Sequence, residues 1–252
     1  MRRLLPLALF GLVSLSACAA GGQNATVPQP QAQASQRAAA AASLVDQSAQ
    51  TLRELRTASR NRIFDAAIES ARAVIVLPGV YQAGFFYSVH GGNGVLIARR
   101  ADGGWGSPVF VNLAGAGYGL QAGLEKSRLV LAVLEEEMLE RILSCGLNLD
   151  ATAKYDILGV REETGPSTLT EERPVMAFAD GVGIMAGIAI RGGVLTVNQG
   201  LTQAYHGARA DEIEQTMRGI SAPGLETFSL WAALGVVPEA SSAGGILRAD
   251  TP

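Results

Sequence analysis

The hydrophobic pattern of this chain changes period several times. Residues 35–58 carry a helical stripe, with Leu44, Leu52 and Leu55 behind the helix-forming run Ala38 to Ala42. A second helix is predicted over 61–70, with Ile63, Phe64, Ala67 and Ile68 inward. From Arg72 the pattern becomes that of strands. RAVIVL, residues 72–77, ends at Pro78-Gly79, which reads as a turn. Tyr81 to Val89 alternates, with Tyr81, Ala83, Phe85, Tyr87 and Val89 on one side, and HGGNG (90–94) reads as the next turn. Val95 to Arg99 is a short strand, Asp102-Gly103 marks a hairpin, and Trp105 to Leu113 follows. Residues 114–124, AGAGYGLQAGL, read as one strand, followed by a turn at Glu125-Lys126 and a strand from Arg128 to Leu134. Glu135 to Leu143 predicts a short helix whose leading acids suit its dipole. Leu147 to Leu158 alternates, 161–173 is a charged loop, and strands are predicted at 174–179, 183–190 and 194–197. Asn198 to His206 reads as a helical turn, Asp211 as the cap of a helix ending at Arg218, and 225–234 as a last short helix.

Many strands with glycine turns between them, and helices gathered at the chain's ends, predict an α+β fold. The expected sheet is strongly curved, mostly antiparallel and glycine-rich, open or partly closed into a barrel. The absence of β-α-β alternation argues against a doubly wound fold.

Two strands are nearly bare on one face. In 114–124, Gly115, Gly117, Gly119 and Gly123 share a side, opposite Ala114, Ala116, Tyr118, Leu120 and Leu124. In 181–190, GVGIMAGIAI, Gly183 and Gly187 play the same part. Such glycines let a sheet coil, let a neighbouring backbone approach closely, or leave a slot for a ligand such as an acyl chain. The pattern leaves all three open, with the apolar face of the first strand expected to be the packed one.

Composition adds a compartment. The chain has 252 residues, 48% hydrophobic and only 17% charged. Arg2 and Arg3 precede an apolar run, Leu4 to Leu15, that is too short to span a bilayer. The run ends in Leu15-Ser16-Ala17-Cys18, which resembles the lipobox of bacterial lipoproteins, where the cysteine is acylated and becomes the mature N-terminus. Residues 1–17 are then a signal peptide and Cys18 the lipidation site, and Ala19 behind it favours the outer membrane, facing the periplasm. Residues 18–34 read as a flexible tether whose sixteen residues after Cys18 reach roughly 50 Å when extended. The net charge of −3 becomes −5 once Arg2 and Arg3 leave with the signal, which argues against nucleic acid as a partner. Cys145 is then the one remaining cysteine; no disulfide is available to it, and it is expected to be a buried structural thiol.

The chain also resembles the SYLF domain, or Ysc84 family. The resemblance rests on ARAVIVLPGVYQAG (71–84), GGNGVL, GGWGSPVFVNL, GYGLQAG, GIMAG and the ending NQGLTQAYHG (198–207), in that order. The last is similar to the family's Asn-x-x-Tyr-Tyr-Gly signature, with shifted spacing and His206 in place of the second tyrosine. The resemblance covers about residues 40 to 207 and implies a lipid-binding module. Eukaryotic members bind phosphoinositides and some bind actin; their membrane contact is attributed to a basic amphipathic N-terminal segment. Its counterparts by position here are Arg53, Arg56 and Arg60, which lie on one helical face. Actin is not expected as a partner of an envelope lipoprotein.

The organisation expected is thus a domain over 35–220 and a C-terminal extension over 221–252, partly disordered. His90 and His206 belong to no metal-ligand or nucleophile motif, so no enzyme and no cofactor is expected. The function expected is a membrane-anchored lipid-binding module; the alternative is a structural or protein-interaction lipoprotein with no lipid beyond its own anchor.

Overall fold

Several runs are apolar at almost every position rather than at alternate ones: AVIVL at 73–77, VLIA at 95–98, VFV at 109–111 and LVLAV at 129–133. A strand of that kind is at home only where both faces of its sheet are covered. A computed structural model describes residues 30–58, 63–84, 87–118, 123–149, 155–159, 174–180, 193–207, 213–219 and 224–235 and places them so. The strands are β1 (Ala73–Gly84), β2 (Tyr87–Ala98), β3 (Val109–Tyr118), β4 (Gly123–Val133), β5 (Leu147–Asn148), β6 (Tyr155–Gly159), β7 (Val175–Asp180) and β8 (Gly193–Val197). They form one curled, unclosed sheet in the order β5-β8-β3-β2-β1-β4-β7-β6. Every neighbouring pair is antiparallel except the parallel edge pair β6 and β7. The fold is α+β, as the sequence predicts.

The helices are α1 (Pro30–Ala58), α2 (Ile63–Ser70), α3 (Glu136–Cys145), α4 (Gln199–His206), α5 (Ile213–Arg218) and α6 (Leu225–Ala233). They divide between the two faces. On one, α1 lays Ala41, Val45, Ala49, Leu52 and Leu55 against Val74, Val76, Val95, Ile97 and Val130, beside Phe64 of α2 and Trp231 of α6. On the other, Ile75, Leu96, Val111 and Leu131 pack with Leu139 and Ile142 of α3 and Met217 of α5. Consecutive residues of one strand thus enter different cores, which is why alternation vanishes from these runs.

Two polar fasteners close the helical layer. The indole of Trp231 donates to the carbonyl of Gly106 at 2.9 Å. Arg99 donates to the carbonyls of Ile68 and Glu69 at 3.1 and 3.0 Å, satisfying the end of α2, and its guanidinium lies 4.2 Å over the Trp105 ring.

Four expectations are corrected. Pro78-Gly79 is no turn: it is an irregularity inside β1, where the register with both neighbours shifts. HGGNG lies within β2, opposite that irregularity. Its glycines make room, since a Cβ on Gly94 would lie 2.5 Å from the Val76 carbonyl oxygen. AGAGYGLQAGL is divided, with 114–118 ending β3 and 123–124 beginning β4, so Glu125-Lys126 lies within a strand. Cys145 is exposed, not buried. The predicted strand 183–190 lies outside the described residues. Leu230 and Trp231 of α6 join the core under α1, so the packed unit runs past residue 220 into the segment read as an extension.

Candidate functional site

β1 to β4 run on beyond the helices, and at that end the two sheet faces part company. Residues that pair across strands carry their side chains on one face. A polar boundary formed by Asn93, Asn112 and Thr196 marks the edge of the α1 layer, with Asn112 Oδ1 accepting from Asn198 Nδ2 at 2.8 Å. Beyond it, pairing aligns Val194, Ala114, Gly91, Tyr81 and Lys126, and next Ala116, Val89, Ala83 and Leu124. Tyr87 and Tyr118 then pair at the tip. Exposure is 50% for Tyr81, 82% for Tyr87, 65% for Val89 and 74% for Leu124; Ala83, Ala114 and Ala116 are exposed too. This face is therefore apolar across five strands and open to solvent. Lys126 is its charged member, 5.5 Å from the Tyr81 ring and without an ion pair among the described residues. At the boundary Arg128 is held by Glu54 of α1 and Asp180 of β7.

The opposite face of the same strands carries the glycines. Gly117, Ser88, Gly84 and Gly123 align across β3, β2, β1 and β4, and Gly115, His90, Gln82 and Glu125 form the next row. His90 and Gln82 are buried there. A Cβ on Gly117 would meet Ser88 Oγ at 3.4 Å, an ordinary contact. The expectation that the apolar face of 114–124 is the packed one is thus reversed for Ala114, Ala116 and Leu124, which face solvent. Gly119, Gly183 and Gly187 lie outside the described residues.

The predicted headgroup arginines sit elsewhere. Arg53 is exposed on α1, with Nη1 3.4 Å from the Ser229 carbonyl. Arg56 donates to Asp65 of α2 and to the carbonyl of Ala233, the last residue of α6, both at 2.7 Å. Its guanidinium therefore joins three helices. Arg60 and Cys18 lie outside the described residues.

The tyrosine-histidine pair of the resemblance signature is structural. Tyr205 donates its hydroxyl to Glu226 at 2.7 Å and lies 2.8 Å from the Thr227 hydroxyl; burial, above all, pushes its pKa well up. His206 Nε2 donates to the Pro108 carbonyl at 2.7 Å, and burial holds its pKa down. No cluster of three metal-ligating groups occurs among the described residues, and none of their helices is long and apolar enough to cross a membrane.

Sequence reasoning found the alternation of Tyr81, Ala83, Tyr87 and Val89 but not its exposure. Periodicity tells which residues share a face; whether a helix covers that face is decided by where α1 crosses the sheet.

Comparison with known proteins gives residues 114–236 a match to the family described as Ysc84, Las17-binding protein actin regulator. That description is of a binding and regulatory domain. Among curated proteins, SH3 domain-containing YSC84-like protein 1 of Xenopus laevis is 30% identical over 56% of this chain and 42% of its own length. Its counterpart in Rattus norvegicus is 32% identical over 51% of this chain and 38% of its own. Protein YSC84 of Saccharomyces cerevisiae is 27% identical over 58% and 34%. The chain thus spans less than half the length of these relatives. No solved structure matches it significantly.

Proposed function

The chain carries a Ysc84 domain over residues 114–236, and from that premise we propose that it is a non-enzymatic lipid-binding module, held at a membrane surface by an acyl group on Cys18. The observation that carries this reading is the open apolar sheet face of Tyr81, Tyr87, Val89 and Leu124. A contiguous apolar surface left open on a soluble domain marks a place of contact with a partner or a membrane. The lipobox-like Leu15-Ser16-Ala17-Cys18 supports a membrane as the neighbour. The family's description connects it to Las17 and actin regulation; an anchored envelope protein would not meet either, so those partners are not carried over.

Two measurements test the reading. Metabolic labelling with a palmitate analogue marks the full chain and spares Cys18→Ala. Protein expressed without residues 1–18 floats with anionic phospholipid vesicles at low salt. Failure to float at any salt concentration counts against lipid binding and favours the second reading, a protein-interaction lipoprotein, for which the family's description as Las17-binding speaks.

A further inference from the structure

The sheet end has two faces, and each offers a different way to meet lipid. The glycine face would receive a single acyl chain in a slot; the apolar face would lie against a bilayer. We infer that the apolar face of β1 to β4 is the membrane-docking surface, dipping into the interfacial zone of a phospholipid leaflet with Tyr87 and Leu124 foremost. This rests on the lipid-binding reading above and specifies its partner as a bilayer surface rather than one extracted lipid.

Four observations favour a leaflet as the occupant. First, the most exposed apolar side chains of this face, Tyr87 and Leu124, lie where β2 and β4 begin, on the two strands that flank β1, so they form the rim of the face. Second, the chemistry is that of an interface. Tyr81 and Tyr87 pair an apolar ring with a hydroxyl, the combination that settles at the headgroup level. Third, the charge is one-sided. The described residues of this face, beyond the Asn93 boundary, include Lys126 and no carboxylate. A lysine behind an apolar rim can extend its stem along the apolar surface and place its ammonium at the phosphates. Fourth, eleven residues separate Cys18 from the start of α1 at Pro30, a reach of about 40 Å at full extension. An acylated Cys18 therefore keeps the domain within about one domain diameter of the leaflet. The arginines of α1 are poorly placed to replace this surface, because Arg56 is occupied in joining α1, α2 and α6.

The test uses protein lacking residues 1–18, and vesicles of phosphatidylethanolamine with phosphatidylglycerol. Tyr87→Ser/Leu124→Ser removes the rim, Lys126→Gln removes the cation, and Arg53→Gln changes a cation on α1. All four sites are exposed, and unchanged thermal melting establishes that the fold is intact. The rim variant is expected to lose about tenfold or more in vesicle affinity at every salt concentration, since its loss is hydrophobic. Lys126→Gln is expected to lose a few-fold at low salt, with the difference fading as salt rises. Arg53→Gln is expected to bind as wild type. Wild type that floats together with an equally floating rim variant overturns this inference and leaves the lipid-binding reading standing. Wild type that never floats overturns both. A wild-type dimer that the rim variant dissociates assigns the face to a second copy of the chain, and also overturns the inference.

Discussion

Arg56→Met separates a structural role for the α1 arginines from a headgroup role. The substitution keeps an apolar stem and removes the guanidinium. Two contacts go with it: the ion pair to Asp65 and the bond to the Ala233 carbonyl, each 2.7 Å. The Asp65 carboxylate is well exposed and Arg56 is one-third exposed, so the pair is screened and contributes about 0.5 kcal/mol. The bond to Ala233 is charge-assisted and part-buried, and satisfies one of the last carbonyls of α6; such bonds contribute about 1.5 kcal/mol or somewhat more. Together they come to about 2 kcal/mol. A protein of this size loses roughly 2–4 °C in Tm per kcal/mol, so the drop expected is about 4–8 °C. Circular dichroism melting of the protein lacking residues 1–18 measures it, and vesicle flotation of the same variant at 20 °C measures binding. The expected pair of results is a lowered Tm with unchanged flotation. An unchanged Tm with weakened flotation refutes the reasoning and makes Arg56 a lipid ligand.

Other predictions follow from single contacts. Tyr205→Phe leaves the fully buried Thr227 hydroxyl short of a partner and costs about 1–2 kcal/mol at neutral pH by chemical denaturation. Because burial raises the Tyr205 pKa above its unfolded value of about 10, wild-type stability holds below that pH and is lost as pH rises beyond it; the Phe variant lacks this contribution, and an identical alkaline slope would contradict it. His206 has the opposite sign. Its folded pKa is depressed, so the unfolded chain binds more protons below about pH 6.5 and stability falls as pH drops through that window, a slope that His206→Gln removes. Cys145, exposed on the last turn of α3, reacts with a thiol reagent in native buffer, and labelling limited by unfolding would show it buried after all. Gly94→Ala forces a Cβ to within 2.5 Å of the Val76 carbonyl oxygen and lowers the denaturation midpoint, whereas Gly117→Ala meets Ser88 Oγ at 3.4 Å and stays within about 1 kcal/mol of wild type; equal effects would contradict the placement.

Much of the fold is legible in the sequence because burial on two faces leaves a plain signal. The apolar runs at 73–77, 95–98 and 129–133 open β1 and close β2 and β4, where they pair with one another, and the Asn198 cap, whose Oδ1 accepts from the Leu201 amide at 3.0 Å, begins α4 where the pattern predicts it. The turns were less legible, for a specific reason. Pro78-Gly79 and HGGNG have the composition of turns, yet they face each other as an irregular strand and the glycines that accommodate it. Composition cannot distinguish a chain that reverses from one that makes room for a bulging neighbour. AGAGYGLQAGL conceals the converse, a change of strand inside a glycine alternation broken only at Gln121, because the residues that leave one face bare carry no signal of where pairing ends. The docking face was half legible. Alternation grouped Tyr81, Ala83, Tyr87 and Val89, but strand order had to bring β3 and β4 alongside before Ala116 and Leu124 joined them.

The most direct test of the docking face is depth-dependent quenching of Tyr87→Trp in the protein lacking residues 1–18. The native Trp105 and Trp231 are buried and supply the background. With vesicles containing phospholipid brominated near the top of the acyl chains, the account predicts a blue-shifted emission and quenching well above that background. Vesicles that bind the protein while the new indole stays red-shifted and unquenched would contradict it.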